Sequence, residues 1–197
     1  MRNVKKKPRG GYEPDGCEPP VSSEKSLGAL VADYIRRYGS RHNTEFTWYT
    51  RMTLTEAVRI AAISTTQDGK RHPHQRRIPA PVLTTGARLL ATLDLSRIRS
   101  FDELHDVIAK VRRRVPGLGA VWTYDVATRV ATKLKLVPQR VYLHTGTRAG
   151  AKTLGCSVRA GVLEMSDLPR EIRRLTPAQA EDFLCIYKDD LWRLCRA

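Results

Sequence analysis

The sequence predicts a mainly α, compact multi-helix domain with at most two short strands. Three observations carry this. Apolar residues recur at three- and four-residue spacing in one segment after another, the period of an amphipathic helix. Helix-start and helix-stop residues punctuate those segments. Strand-like patterns are confined to two short stretches.

Residues 1–21 hold Pro and Gly clusters, five basic residues in the first nine and little apolar content. They are expected to form a disordered basic arm, either a solubilising tail or an arm that seeks phosphate. Residues 22–197 are expected to form one helical domain. Ser23 is placed to cap a first helix whose apolar positions are Leu27, Leu30, Val31, Tyr34 and Ile35, with Gly39 at its end. HNTEFTWYTR reads as a short strand or a loop, with Phe46, Trp48 and Tyr49 covering the core. Thr53 or Thr55 starts a second helix that packs through Ala57, Val58, Ala61 and Ala62.

Residues 65–79 read as an extended polar loop. Asp68-Gly69 makes a turn, and Pro73 and Pro79 keep the chain open. A third helix follows from about Pro81 to Asp94. Ser100-Phe101-Asp102-Glu103 is a capping-box pattern for a fourth, with Leu104, Val107, Ile108 and Val111 as its apolar stripe. That helix ends in Arg112-Arg113-Arg114, where positive charge suits the dipole. RVYLHTGTRAG, residues 140–150, reads as a short buried strand entering a glycine-bearing turn. Near the C-terminus, Thr176, Pro177 and Gln179 mark a last helix that buries Ala180, Phe183, Leu184, Tyr187 and Leu191.

Charge restricts the partners. The chain has 35 Lys and Arg against 20 Asp and Glu, a net +15. Such a surface attracts polyanions, nucleic acid first among them. No apolar run approaches the roughly 18 residues of a membrane span. The basic start has no apolar stretch behind it, so no secretory signal is read. No membrane partner and a cytoplasmic location are therefore expected, nucleoid-associated in a bacterium. Cys17, Cys156, Cys185 and Cys195 are widely spaced, which suits free thiols rather than a disulfide framework.

The segment most informative about function is Val115-Pro116-Gly117-Leu118-Gly119, between two amphipathic stretches. A tight turn needs one glycine. Two suit a backbone that must approach a ligand closely, and helix N-terminal amides favour an anion. The pattern resembles the hairpin of helix-hairpin-helix DNA-binding elements, over about 40 residues from Ser100 to Val141 with the element itself at about 100–136; Ala127, eight positions past Gly119, matches the alanine of that pattern. The resemblance implies that Leu118 plugs the space between the helices while Gly117 and Gly119 present amides to a phosphate. Such a grip positions a strand without reading its bases.

The layout also resembles the scaffold of helix-hairpin-helix DNA glycosylases. The region corresponding to their catalytic segment is VYLHTGTR, residues 141–148, which has a His-Thr pair but no aspartate. The position of the lysine found in bifunctional members is Val121. The resemblance thus implies a DNA-binding hairpin and not glycosidic-bond cleavage.

Further candidates lie elsewhere. Lys70, Arg71, Arg76 and Arg77 of the basic loop can line a phosphate track. His72 and His74 have no cysteine or carboxylate near them in sequence, so no metal site and no cofactor are expected. His144 reads as a general base or as a hydrogen-bonded structural histidine. With Tyr142 and Arg148 it makes the candidate catalytic group. Thr145 to Gly150 forms either a second anion-binding turn or the start of a short helix. Asp125 is expected to pair with Arg129 one turn on, and Trp122 and Tyr124 to be core or groove-lining aromatics.

Three functions follow. The first is a nucleic-acid-binding protein, duplex DNA favoured over RNA, using Arg112, Arg113, Arg114, Gly117, Leu118, Gly119 and the basic loop on phosphates, largely independent of sequence. The second is a DNA-processing enzyme on a glycosylase-like scaffold with an altered site. The third is a helical adaptor for an acidic protein. Oligomeric state is not readable from the sequence.

Overall fold

A computed structural model describes residues 26–39 and 42–196. The expected arm at 1–21 and the expected cap at Ser23 lie outside them. The described residues contain nine α-helices and one two-stranded antiparallel sheet, so the fold is mainly α.

α1 (Leu27–Tyr38) is capped by Ser26, whose hydroxyl accepts the Ala29 N–H at 3.2 Å. α2 (His42–Thr50) is a helix where a strand or loop was expected. Its aromatics favour extended backbone when taken alone. Packing overrides that preference, because Tyr49 is buried in the core and Trp48 packs against it. α3 (Leu54–Ile63) starts at Thr53, which forms a complete capping box with Glu56, and buries Ala57, Val58, Ala61 and Ala62 as expected.

The loop at 65–79 closes on itself. Thr65 and Arg71 bridge, Gly69 takes a φ of 77°, and residues 73–75 make a 3-10 turn. α4 (Ala80–Ala91) follows. α5 (Phe101–Arg114) has half of its expected capping box. Ser100 accepts the Glu103 N–H, but the Glu103 carboxylate accepts from Arg99 at 3.0 Å rather than from Ser100. α6 (Ala120–Leu134) is the central helix and buries Trp122, Val126 and Val130 completely. The Trp122 indole N–H donates to the Ala62 carbonyl at 2.9 Å, tying α6 to α3.

β1 (Val141–Tyr142) pairs with β2 (Val162–Leu163). Between them lies α7 (Thr145–Thr153), which decides the open reading of 145–150 for a helix start. The expected last helix is two, α8 (Pro177–Ile186) and α9 (Lys188–Leu194), which meet at Tyr187. Thr176 and Gln179 complete the box at the start of α8.

Two apolar cores result. One joins α3, α4, α5 and α6 with Tyr49 and Tyr142. The other joins α1 to β1, α7, α8 and α9. The N-terminal helix therefore belongs with the C-terminal elements. Its Asp33 carboxylate is buried and accepts from Tyr187 at 2.6 Å and from Arg37 at 2.9 Å. A cleft forms where the two cores meet, with walls from α1, α2, α6 and α8.

Candidate functional site

The α5–α6 corner is built by its glycines. Gly117 has a φ of 96°, a conformation that disfavours side chains, and a Cβ there would lie 3.3 Å from Val82 of α4. Gly117 is thus required by the turn itself. Gly119 is different. It is the N-cap of α6 with φ −105° and ψ 174°, extended backbone open to any residue. A Cβ on Gly119 would meet nothing within 4 Å.

No side chain caps α6, and its first turn holds no acidic residue. The positive end of this 15-residue helix therefore faces outward without a carboxylate to neutralise it. Pro116, Gly117, Gly119 and Ala120 are exposed, while Leu118 is buried. Leu118 anchors the corner in the first core, where its Cδ1 and the Trp122 ring occupy the space a Cβ at Gly86 of α4 would need. Arg113 and Arg114 are exposed at the end of α5, and Arg112 is half-buried.

The basic loop divides. Lys70, Arg76 and Arg77 are exposed. Arg71 is half-buried and donates to the Ile78 carbonyl at 3.0 Å, closing the loop.

α6 runs from the corner into the cleft. Asp125 lies roughly 8 Å along the helix from Ala120 at 1.5 Å per residue, and Tyr124, Asp125, Thr128 and Arg129 line the cleft. The cavity is about 250 Å³. Asp125 and Arg129 pair as expected, Oδ2 to guanidinium at 3.7 Å. The same oxygen accepts from the amide of buried Gln75 at 2.8 Å and lies 3.9 Å from His74 Nδ1. His72 completes this group: one ligand atom each from His72, His74 and Asp125 lie within 4.8 Å of one another. Sequence proximity hid this set, because the carboxylate comes from a distant helix, 50 residues beyond the neighbouring Gln75.

Across the cleft, His144 stands at the N-cap position of α7 without capping it and hydrogen-bonds through Nε2 to Glu181 of α8. Thr147 donates to the same Glu181 oxygen at 2.7 Å and lies 3.0 Å from His144 Nε2. Burial works against a charged His144, but the Glu181 hydrogen bond and charge outweigh it and raise its pKa. Burial raises the Glu181 carboxyl above the usual glutamate range, against the pull of His144. The two form a hydrogen-bonded pair inside the cleft. His144 Nδ1 is buried and has no hydrogen-bond partner.

Of the candidate catalytic group, His144 alone lines the cleft. The Tyr142 hydroxyl donates to Asp102 of α5, which Arg140 also grips at 2.6 Å. Arg148 donates to the Val158 carbonyl, bracing the loop before β2. Both are placed as structural ties. Cys185 lines the cleft, but burial pushes its thiol up to about 12, so it stays protonated near neutral pH. Glu181 and Asp182 went unnoticed in the sequence. Only their position on α8, Glu181 buried beside the apolar stripe and both on the cleft, could have signalled them.

Comparison with protein-family models, curated proteins and solved structures found no match. No helix of the described residues is long and apolar enough to cross a membrane.

Proposed function

We propose that this protein binds nucleic acid, duplex DNA in first place, by gripping the phosphate backbone at the α5–α6 corner. One observation carries the reading: Gly119 is a glycine that the fold does not require. Its backbone is ordinary and the space beside it is open. Serine or aspartate would cap the helix at least as well. A bare backbone at an exposed, uncapped helix start suits a partner that approaches the amides closely, and a phosphate is the ligand such amides hold. The exposed Arg113 and Arg114 beside it and the net +15 of the chain support the same partner. This grip ignores base identity, so binding is largely independent of sequence.

The test is a gel-shift series over salt with duplex DNA, single strands and RNA. Replacing Arg113 and Arg114 together with Glu should weaken binding and flatten its salt dependence, each lost phosphate contact lowering the log–log slope by about 0.9 on duplex DNA. Unchanged binding in that variant contradicts the reading.

The cleft favours a second reading, an enzyme that acts on the bound strand. The observation behind it is the buried His144–Glu181 pair facing Asp125 across a cavity on the same helix that starts at the corner. Release of a base or a nick on a modified duplex, lost in Glu181→Gln, is its signature.

A further inference from the structure

We propose that His72, His74 and Asp125 form a binding site for a divalent transition-metal ion, zinc by the chemistry of its ligands, on the wall of the cleft. The proposal goes beyond nucleic-acid binding and does not depend on it.

The donor set comes first. Two imidazole nitrogens and one carboxylate oxygen suit zinc, whereas magnesium and calcium take oxygen ligands almost exclusively. The three ligand atoms already lie within 4.8 Å of one another. Ligand distances of about 2.0–2.2 Å at tetrahedral angles require them about 3.3–3.6 Å apart, roughly 1 Å closer. The His74 side chain is 54% exposed and free to make that adjustment by rotating.

The surroundings are built rather than incidental. The His72 N–H donates to the Ser64 carbonyl at 2.8 Å, and the Gln75 N–H donates to the His72 carbonyl at 2.9 Å. Together with the Arg71 bond to Ile78, these fix the backbone that carries both histidines. Gln75 is 1% exposed, and its side-chain amide orients Asp125. That is the role of an outer-shell partner in metal sites. Carboxylate oxygens hold about four lone-pair sites, so one hydrogen bond leaves Asp125 capacity for an ion.

Carboxylates also gather at this place. Asp125, Glu181 and Asp182 all line the cleft of a chain that is otherwise strongly basic. Arg129 competes for the Asp125 oxygen at 3.7 Å. Three protein ligands leave at least one coordination position open, as in catalytic rather than structural zinc sites. That position takes water, or an anionic oxygen next to Arg129.

The test uses tag-free, metal-stripped full-length protein without nucleic acid, so its outcome is separate from that of the DNA-binding experiments. Zn²⁺ is titrated by calorimetry and Co²⁺ by visible absorption. One saturable equivalent is expected, with the ligand-field bands of low-coordinate Co²⁺ and no thiolate charge-transfer band. His74→Ala and Asp125→Asn should each weaken binding by more than the roughly 10–100-fold that loss of an outer-shell partner costs. His74 is largely exposed and asparagine keeps an acceptor for Gln75, so both variants should fold, which circular dichroism checks. Absence of a saturable site, a cysteine-to-cobalt band, or affinity unchanged in both variants overturns the proposal.

Discussion

Two glycines serve opposite ends in this molecule. At Gly150 of α7, a Cβ would lie 2.2 Å from the Leu184 carbonyl oxygen, so that glycine is what lets α7 and α8 touch. At Gly119 a Cβ would meet nothing. Gly150→Ala should therefore destabilise the fold by roughly 3 kcal/mol through forced separation of two helices, read as a fall in the urea midpoint. Gly119→Val should cost only about 0.5–1 kcal/mol in cap preference while weakening DNA binding. A Gly119→Val protein as unstable as Gly150→Ala would place that glycine in the structural class and remove the main support for a phosphate site. The Pro-Gly-Leu-Gly corner was legible in the sequence because turn chemistry is local. That Leu118 presses on Gly86 of α4 was not, since nothing near either residue records the other.

Helices with a clear apolar period and a cap were legible nearly to the residue. Thr53, one of the two starts the sequence offers, caps α3, and Thr176 caps α8, each with its reciprocal box. α2 was not, because its aromatic residues favour extended backbone and only burial of Tyr49 decides for a helix. The link between α3 and α6 rests on Trp122. Trp122→Phe removes the bond to the Ala62 carbonyl and leaves a void, so a loss of about 1–3 kcal/mol is expected in denaturant unfolding. Between α7 and α8, the His144–Glu181 pair makes stability depend on pH. Both groups titrate higher in the folded protein than their ordinary values of 6.5 and 4.5. The folded pair therefore holds more protons than the unfolded chain, and its contribution is fully present below both ordinary values. That contribution is lost as pH rises from about 4.5 through the raised histidine value. Melting temperature against pH, compared with a His144→Gln, Glu181→Gln double variant, should show the wild type losing ground over that window. A difference that grows with pH contradicts the assignment.

The arrangement of the whole chain explains why the cleft was hidden in the sequence. His72, Asp125, His144 and Glu181 are brought together by two cores that meet, with α1 crossing back to join α8 and α9. No spacing rule spans such distances, whereas net charge is additive and was readable at once. The +15 charge also makes a prediction for the entire surface. Duplex affinity should fall steeply with salt as counterions reoccupy the DNA. The most direct measurement is fluorescence anisotropy of a labelled duplex across a salt series, for the parent and Gly119→Val side by side. Tight, salt-sensitive binding by the parent and weaker binding by the variant at every salt concentration, with both folded, is the predicted result. Equal binding by the two proteins, or no duplex binding by the parent at low salt, would contradict a phosphate grip at the α5–α6 corner.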